Sequence, residues 1–317
     1  MLLVFASCGD RHEQLVSEPE ITVDVLLPTT PVKDQGRTSL CWIYAMLATI
    51  ETDCLAKGDS VNLSPAWLAR KSIEEQAAET YLCGSDISLR GTLMDAMRLF
   101  STYGIVAYDA ASPRENAGGR ATARKAEHIA RVMNAQKRGL KAMDDALCDI
   151  LDGDIGPMPR YVFMYGVEYT ALEFAHSCAM PDDWIPYTSF THHPYGKPFS
   201  IEIADNRRHL QVENVPLDSL YNMVVNSLKR HHPVAWEGSL REVKSEKSKV
   251  KSEQRQRAFE SSQLTDDHCV AIIGMGHKKD GTPVFILKDS WGKDHGRRYM
   301  TREEFLLSTI LVMIKKQ

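Results

Sequence analysis

The sequence predicts an α+β fold of two lobes, helical first and β-rich last, and three observations predict it. An apolar stretch opens at Cys41 and runs to about residue 57 with helical periodicity. Short β-rich runs dominate from about residue 199 to about 310, interrupted by one helix at 216 to 231. With 317 residues, 43 % of them hydrophobic, and a formal charge of −4, the chain can bury a substantial core as one two-lobed unit.

The elements follow in order. Residues 1–9 form a short apolar run with small residues before Cys8, like the tail of a bacterial lipoprotein signal whose lipid-acceptor cysteine would be Cys8. That reading places the chain at a bacterial cell envelope, held to the membrane only through this anchor. An unstructured N-terminus in a cytoplasmic protein is the alternative. Residues 9–26, polar and acidic, are a tether or a strand leading inward, so the chain divides into 1–26 and a domain at 27–317.

Within 41–57, Ala45, Ala48 and Ile50 are expected to pack while Glu51 and Asp53 approach solvent. Residues 63–78 and 91–103 read as further helices. The stretch from about 111 to 150, rich in Ala, Lys and Arg, is an inserted helical region, periodic in its second half. The segment from Arg241 to Arg257 mixes both charge signs without an apolar stripe and reads as a solvated loop or frayed helix. A mobile flap leading into His268 is its functional counterpart.

Composition excludes several classes. Nothing in the charge balance suggests a nucleic-acid partner, and no apolar stretch is long enough to span a bilayer. Seven cysteines, at 8, 41, 54, 83, 148, 178 and 269, lack paired or metal-type spacing. His192 with His193, and His231 with His232, are sequence neighbours whose side chains should point apart, so no metal is expected. No cofactor is implied.

Chemistry concentrates around Cys41. Gln35 stands six residues before Cys41-Trp42, where a helix begins. A thiol in a first helical turn feels the positive end of the macrodipole, which favours the thiolate. The Gln35 amide and the Cys41 backbone N–H are placed to face the oxygen of a tetrahedral intermediate. Downstream, Thr265 to Gly276 reads as a polar turn and a buried strand with His268 at its entrance. A turn at Lys278–Thr282 leads to a second strand, Val284 to Gly292, that carries Asp289. Side by side, the strands would bring Asp289 to the His268 ring and fix its tautomer, with Trp291 shielding the bond.

Gln35-Gly36 before Cys41-Trp42, Asp267-His268 before Val270, and Lys288 with Ser290-Trp291-Gly292 together resemble the papain-like cysteine peptidases. Leu63-Ser64-Pro65, Arg90 to Ala96, and Tyr299 to Phe305 agree with it. Tyr169–Phe174, Asn214–Asp218 and Pro233–Trp236 are most similar to the bleomycin hydrolase and aminopeptidase C branch. The resemblance spans about residues 30 to 310 and implies a two-lobed fold, with a helical left lobe, a barrel-like right lobe and the site between them. It implies a peptide or protein substrate, with Cys41 as nucleophile, His268 as base and Gln35 at the oxyanion. Gly91 would pair with substrate backbone, while Asp267 and Cys269 would border the pocket for the residue two before the scissile bond.

Three departures from the family pattern follow. Asp289 stands where the family usually has asparagine, and its charge should raise the imidazolium pKa. Ser39-Leu40 replaces a slimmer Gly-Ser beside the nucleophile. The C-terminal arm of the aminopeptidase branch is absent, which favours an endopeptidase over an aminopeptidase. Thr38 replaces a disulfide cysteine of secreted relatives, so no disulfide framework is expected. The alternatives are a transglutaminase-type acyltransferase, to which a Cys-His-Asp set is also suited, and an inactive peptide-binding lipoprotein.

Overall fold

The fold is seen in a computed structural model that describes residues 20–114, 118–164, 166–240 and 251–316. Cys8 and the first part of the expected tether lie outside the described residues, as do 241–250 of the charged segment.

The chain opens with β1 (Ile21–Leu26) and enters the helical half at α1 (Cys41–Ala56), α2 (Pro65–Cys83) and α3 (Leu93–Tyr103). Helix α1 has no side-chain cap, and from Trp42 to Cys54 every residue but Ala48 is buried. A helix wrapped on all sides needs no amphipathic stripe, because tertiary packing holds it. Its neighbours are capped locally. Ser64 accepts from the Trp67 N–H with Pro65 in the first turn of α2, and Thr92 and Asp95 form a reciprocal capping box on α3.

Next come α4 (Arg120–Ala135) and α5 (Leu140–Asp154), then a small hairpin, β2 (Val162–Met164) and β3 (Val167–Tyr169), and α6 (Ala171–Cys178). Helices α4 and α5 pack on α2 through their own small core, where Ala126 and Ala130 of α4 and Leu147 and Leu151 of α5 meet Ile73 and Ala77. The alanines let the helix backbones approach closely. Both halves of the inserted region are therefore helical, not only the second.

The second half contributes β4 (Trp184–Thr188), β5 (Pro198–Ser200), β6 (Gln211–Asn214), α7 (Leu217–Lys229), β7 (Val234–Gly238), α8 (Lys251–Glu260), β8 (His268–Lys278), β9 (Pro283–Lys288), β10 (Arg297–Thr301), α9 (Arg302–Ser308) and β11 (Thr309–Lys315). One sheet runs β10-β9-β8-β7-β11-β4-β6-β5, antiparallel except where β4 meets β6. Strand β8 is the longest. One edge lies along β9, while the other is shared between β7, over His268–Ile272, and β1, over Gly274–Lys278. Leu220, Val224 and Leu228 of α7 cover one sheet face against Val270, Ile272, Phe285 and Leu287. The larger core joins α1 and α3 to Cys269, Ile310 and Leu311 of the sheet half, so the lobes share an apolar seam.

Four expectations need correction. Strand β1 is part of the main sheet, so the domain begins at or before Ile21 rather than at 27. Glu51 and Asp53 are buried rather than solvent-facing. Glu51 accepts from Thr30, Lys33 and the Leu63 N–H, and Asp53 from His232, Lys57 and Lys315. Apart from Lys57, one turn on from Asp53, those partners come from other segments, which local periodicity cannot reveal. The β-rich half holds three helices among the described residues, α7, α8 and α9, instead of one. Finally, the described part of the charged segment is not simply solvated. Arg255 of α8 is fully buried, donates to the Thr309 carbonyl at 2.9 Å and lies 4.2 Å from the centre of the Phe190 ring.

Candidate active site

Cys41 is the first residue of α1, at the seam between the lobes. His268 is the first residue of β8, and Asp289 follows the last residue of β9. The His268 Nε2 and Asp289 Oδ1 atoms are 2.7 Å apart, with both side chains buried. This leaves the other ring nitrogen for Cys41, which lines the same cavity. Trp291 stacks on the His268 ring at 6.0 Å and 19° while staying 42 % exposed, so it roofs the pair from the solvent side.

Strand register decides this geometry. Counting back from the turn, His277 pairs with Pro283 and Gly274 with Ile286. An unbroken ladder would set Asp289 opposite Ala271, whose side chain points to the face away from His268. A bulge between Ile272 and Gly274 inserts one residue, so Ile272 pairs with Leu287 and Ala271 with Lys288. Asp289 lies one residue beyond that last pair, where its N–H donates to the Gly296 carbonyl at 2.8 Å. Gly274 is required there, because a Cβ would meet the Val25 carbonyl oxygen of β1 at 2.4 Å.

The electrostatics favour an ion pair. Hydrogen bonding from Cys269, opposed by burial and aided by His268, holds the Cys41 thiol well below the ordinary thiol range. Burial pulls the His268 imidazolium down, but Asp289 and Cys41 outweigh it and leave the group raised to about 9. Asp289 also accepts from the Ser290 N–H at 2.7 Å, and Arg298 approaches its Oδ2 at 3.4 Å.

Gln35 is buried and its amide is oriented at both ends. Ser290 Oγ donates to its Oε1 at 2.6 Å, and its Nε2 donates to the Thr38 carbonyl at 2.8 Å. One N–H of that amide is left for a ligand. Ser290 thus ties the Gln35 loop to the Asp289 loop, a link that the motif contained without stating its role.

A cavity of about 130 Å³ is lined by Gln35, Cys41, Gly91, His268, Cys269 and Trp291, so every expected catalytic residue except Asp289 faces it. Asp289 stands behind His268, bonded to its ring. Asp267 also lines the cavity, but its carboxylate accepts from Ser239, the Leu240 N–H and Thr265, which gives it a part in holding the 239–240 strand end. Gly91 has a packing reason beside any substrate contact, since a Cβ would stand 3.0 Å from the Trp42 indole. Arg90, Asp205 and Asp266 line the same cavity and were not anticipated from sequence. Asp205 lies too far along the chain for any motif to reveal.

The paired histidines behave differently from expectation. His192 and His193 sit in a turn, where strand alternation does not apply, and both reach Glu202, at 3.1 and 2.6 Å. Their nitrogens and the carboxylate lie close enough to hold a metal ion. Gln256, fixed by the Thr191 N–H at its oxygen, presents its amide N–H to His192 Nδ1. That puts the neutral ring's proton on Nε2, toward Glu202, where a metal would need a lone pair. The cluster is complete as a hydrogen-bonded group. The six cysteines among the described residues are unbridged.

No protein-family model matches the chain, and no curated protein matches it in sequence. Solved structures do. Pepw from Lactobacillus rhamnosis superposes with a TM-score of 0.69 at 17 % identity, over 93 % of this chain and 82 % of that one. Digestive procathepsin L 3 of Tenebrio molitor larval midgut is matched at 0.45 and 16 %, over 95 % and 72 %. Bromelain protease from Ananas comosus is matched at 0.39 and 14 %, over 91 % and 94 %. At such identities the likeness shows the fold, and the first superposition carries it. This chain has the two-lobed fold of the papain-like cysteine peptidases.

Proposed function

We propose that the chain is a cysteine peptidase that hydrolyses peptide bonds through Cys41, His268 and Asp289, with Gln35 at the oxyanion. One observation carries the reading. A thiol at a helix start and an imidazole held 2.7 Å from a buried carboxylate open onto one cavity beside an oriented amide. The Cys41 thiolate attacks the carbonyl carbon, and the oxyanion takes hydrogen bonds from the Gln35 amide and the Cys41 N–H. The His268 imidazolium gives its proton to the leaving amine, forming the acyl-enzyme. His268 then deprotonates a water that attacks the thioester, and the acid leaves as the thiolate re-forms.

The preference for internal cleavage has its own support. The cavity at Cys41 meets a larger one of about 350 Å³, and Trp42, Arg90, Gly91 and Asp205 line both. Room for several residues on one side of the bond suits an extended peptide better than a single terminal residue. Two experiments test the reading. Wild-type protein should release fluorophore from acetylated peptides and carry an iodoacetamide label at Cys41, and Cys41→Ala should lose both. Trimming of free amino termini with no cut in acetylated peptides would reject internal cleavage, and transfer to added amines in place of hydrolysis would reassign the chemistry to acyl transfer. Attachment to a bacterial envelope through Cys8 is a separate proposal, checked by metabolic labelling with a fatty-acid analogue.

A further inference from the structure

Between Cys41 and the larger cavity, three charged side chains form a group that the proposed chemistry does not use. Arg90 Nε donates to Asp205 Oδ2 at 2.7 Å, and Arg90 Nη2 donates to the Asp266 backbone carbonyl at 2.8 Å. The same Nη2 stands 3.5 Å from Asp266 Oδ1. Asp266 Oδ2 is buried and has no hydrogen-bond partner among the described residues. All three residues line the cavity that holds Cys41 and His268.

Charge counting shows what is missing. Two carboxylates face one guanidinium, and the nearby acids do not alter the balance. Asp267 is turned toward Ser239 and the Leu240 N–H. Burial pushes the Glu237 carboxyl, beneath the site, well above the ordinary carboxylate range, despite the hydrogen bond that it accepts from the Leu93 N–H at 2.8 Å. Among the described residues, the cavity wall thus carries more negative than positive charge and one buried oxygen in need of a donor. An incoming ammonium or guanidinium supplies both. An apolar group leaves the oxygen orphaned, and a carboxylate adds repulsion.

Resting on the peptidase reading of the same cleft, we propose that Asp266 and Asp205, with Arg90 as their clamp, select substrates carrying a positive charge on the acyl side of the scissile bond. The charge has two sources of one chemistry: a Lys or Arg side chain two residues before the bond, or the free α-amine of a short substrate. Burial, with the Asp205 charge beside it and Arg90 opposing, pushes the Asp266 carboxyl up to about 6. Its charge is present above that pH and is lost as pH falls through it, so the preference should fade with acidification. Among the described residues, Cys41, His268, Cys269, Asp205, Arg90, Glu237 and Asp267 are the titratable and charged neighbours facing it from both lobes.

The test compares acetylated fluorogenic peptides with Lys, norleucine or Glu two residues before the bond, and free-amine dipeptides with their acetylated counterparts. A hydrogen-bonded charge contact predicts a Lys to norleucine ratio in kcat/KM of roughly ten- to a hundredfold at pH 7.5. The ratio should collapse toward one in Asp266→Asn, fall in Asp205→Asn, and shrink in the wild type below pH 6. A Lys preference among acetylated peptides assigns the side-chain source. A preference only for free amines assigns the terminal source. Equal rates across the series, or a Glu preference, overturn the proposal. Anisotropy of the same labelled peptides on Cys41→Ala protein separates recognition from turnover. Charge-selective binding with no hydrolysis by wild type sustains the recognition site while the peptidase reading fails, and unselective binding overturns the site.

Discussion

The two walls of the cleft are built over different sequence distances. On the Cys41 wall, Gln35, Thr38 and Cys41 belong to one short segment, held partly by its own Gln35 to Thr38 bonds and partly by Ser290. On the His268 wall, the imidazole and its carboxylate come from two neighbouring strands whose register carries a one-residue bulge. A local motif therefore specifies the nucleophile almost by itself, whereas the base depends on sheet register. Changes to the first wall should remove chemistry and leave the fold. Changes to the second should mix the two.

The largest expected effect separates the walls directly. His268→Ala removes the proton carrier and the charge beside the thiolate, so hydrolysis should fall by about 10³-fold or more. Alkylation of Cys41, which in wild type proceeds well below the free-thiol range, should move toward a pKa of about 8.5. The alkylation rate followed against pH decides it. An unchanged profile would take His268 out of the site and leave the helix start alone responsible for the thiolate.

What was legible in the sequence follows the same division. Gln35, Cys41 and the start of α1 at Cys41 are readable because they share one short segment, although Gln35 is also held by Ser290. The pairing of His268 with Asp289 is readable from the motif set, but not from counting strand residues, since the unbulged register would have separated them. Glu51, Asp53 and Arg255 are misread for one reason, that their burial is offset by partners from Thr30 to Lys315. The acid pair is the extreme case. Asp205 and Asp266 meet only because the segment after β5 returns to the cleft and Arg90 ties it there.

Register can be strained on purpose. Gly274→Ala drives a methyl group into the Val25 carbonyl oxygen at 2.4 Å, so β1 must shift or the bulge must relocate. We expect a loss of stability of about 1–3 kcal/mol, read from the urea midpoint. If the bulge moves, hydrolysis falls further than stability alone explains, because Asp289 leaves the His268 face. A midpoint equal to wild type would show that β1 yields freely and that the glycine is not needed for the register.

Charge on the second wall can be altered without moving atoms. In Asp289→Asn the amide oxygen keeps the hydrogen bond to His268, but the anion that raises the imidazolium is gone. The folded-state pKa of His268, about 9 in wild type, should therefore drop, and the alkaline limb of the kcat/KM profile should move to lower pH. Arg298, 3.4 Å from the same carboxylate, already offsets part of that charge, so the change should be smaller than that of removing His268. Movement of the limb to higher pH would contradict the electrostatic role.

The smallest expected effect lies where the walls touch. Cys269, buried on β8, lines the same cavity as Cys41 of α1. A donor to a thiolate stabilises the charged form, and among the groups that lower the Cys41 pKa Cys269 outranks the His268 charge. Cys269→Ala removes the side-chain donor and keeps the backbone N–H, so the alkylation profile of Cys41 should shift to higher pH while the alkaline limb set by His268 stays in place. Cys269→Ser, which restores a donor of similar size, should return the acid limb toward wild type. If alanine and serine behave alike, the thiol acts only by filling space, and the thiolate is set by the helix start and the imidazolium alone.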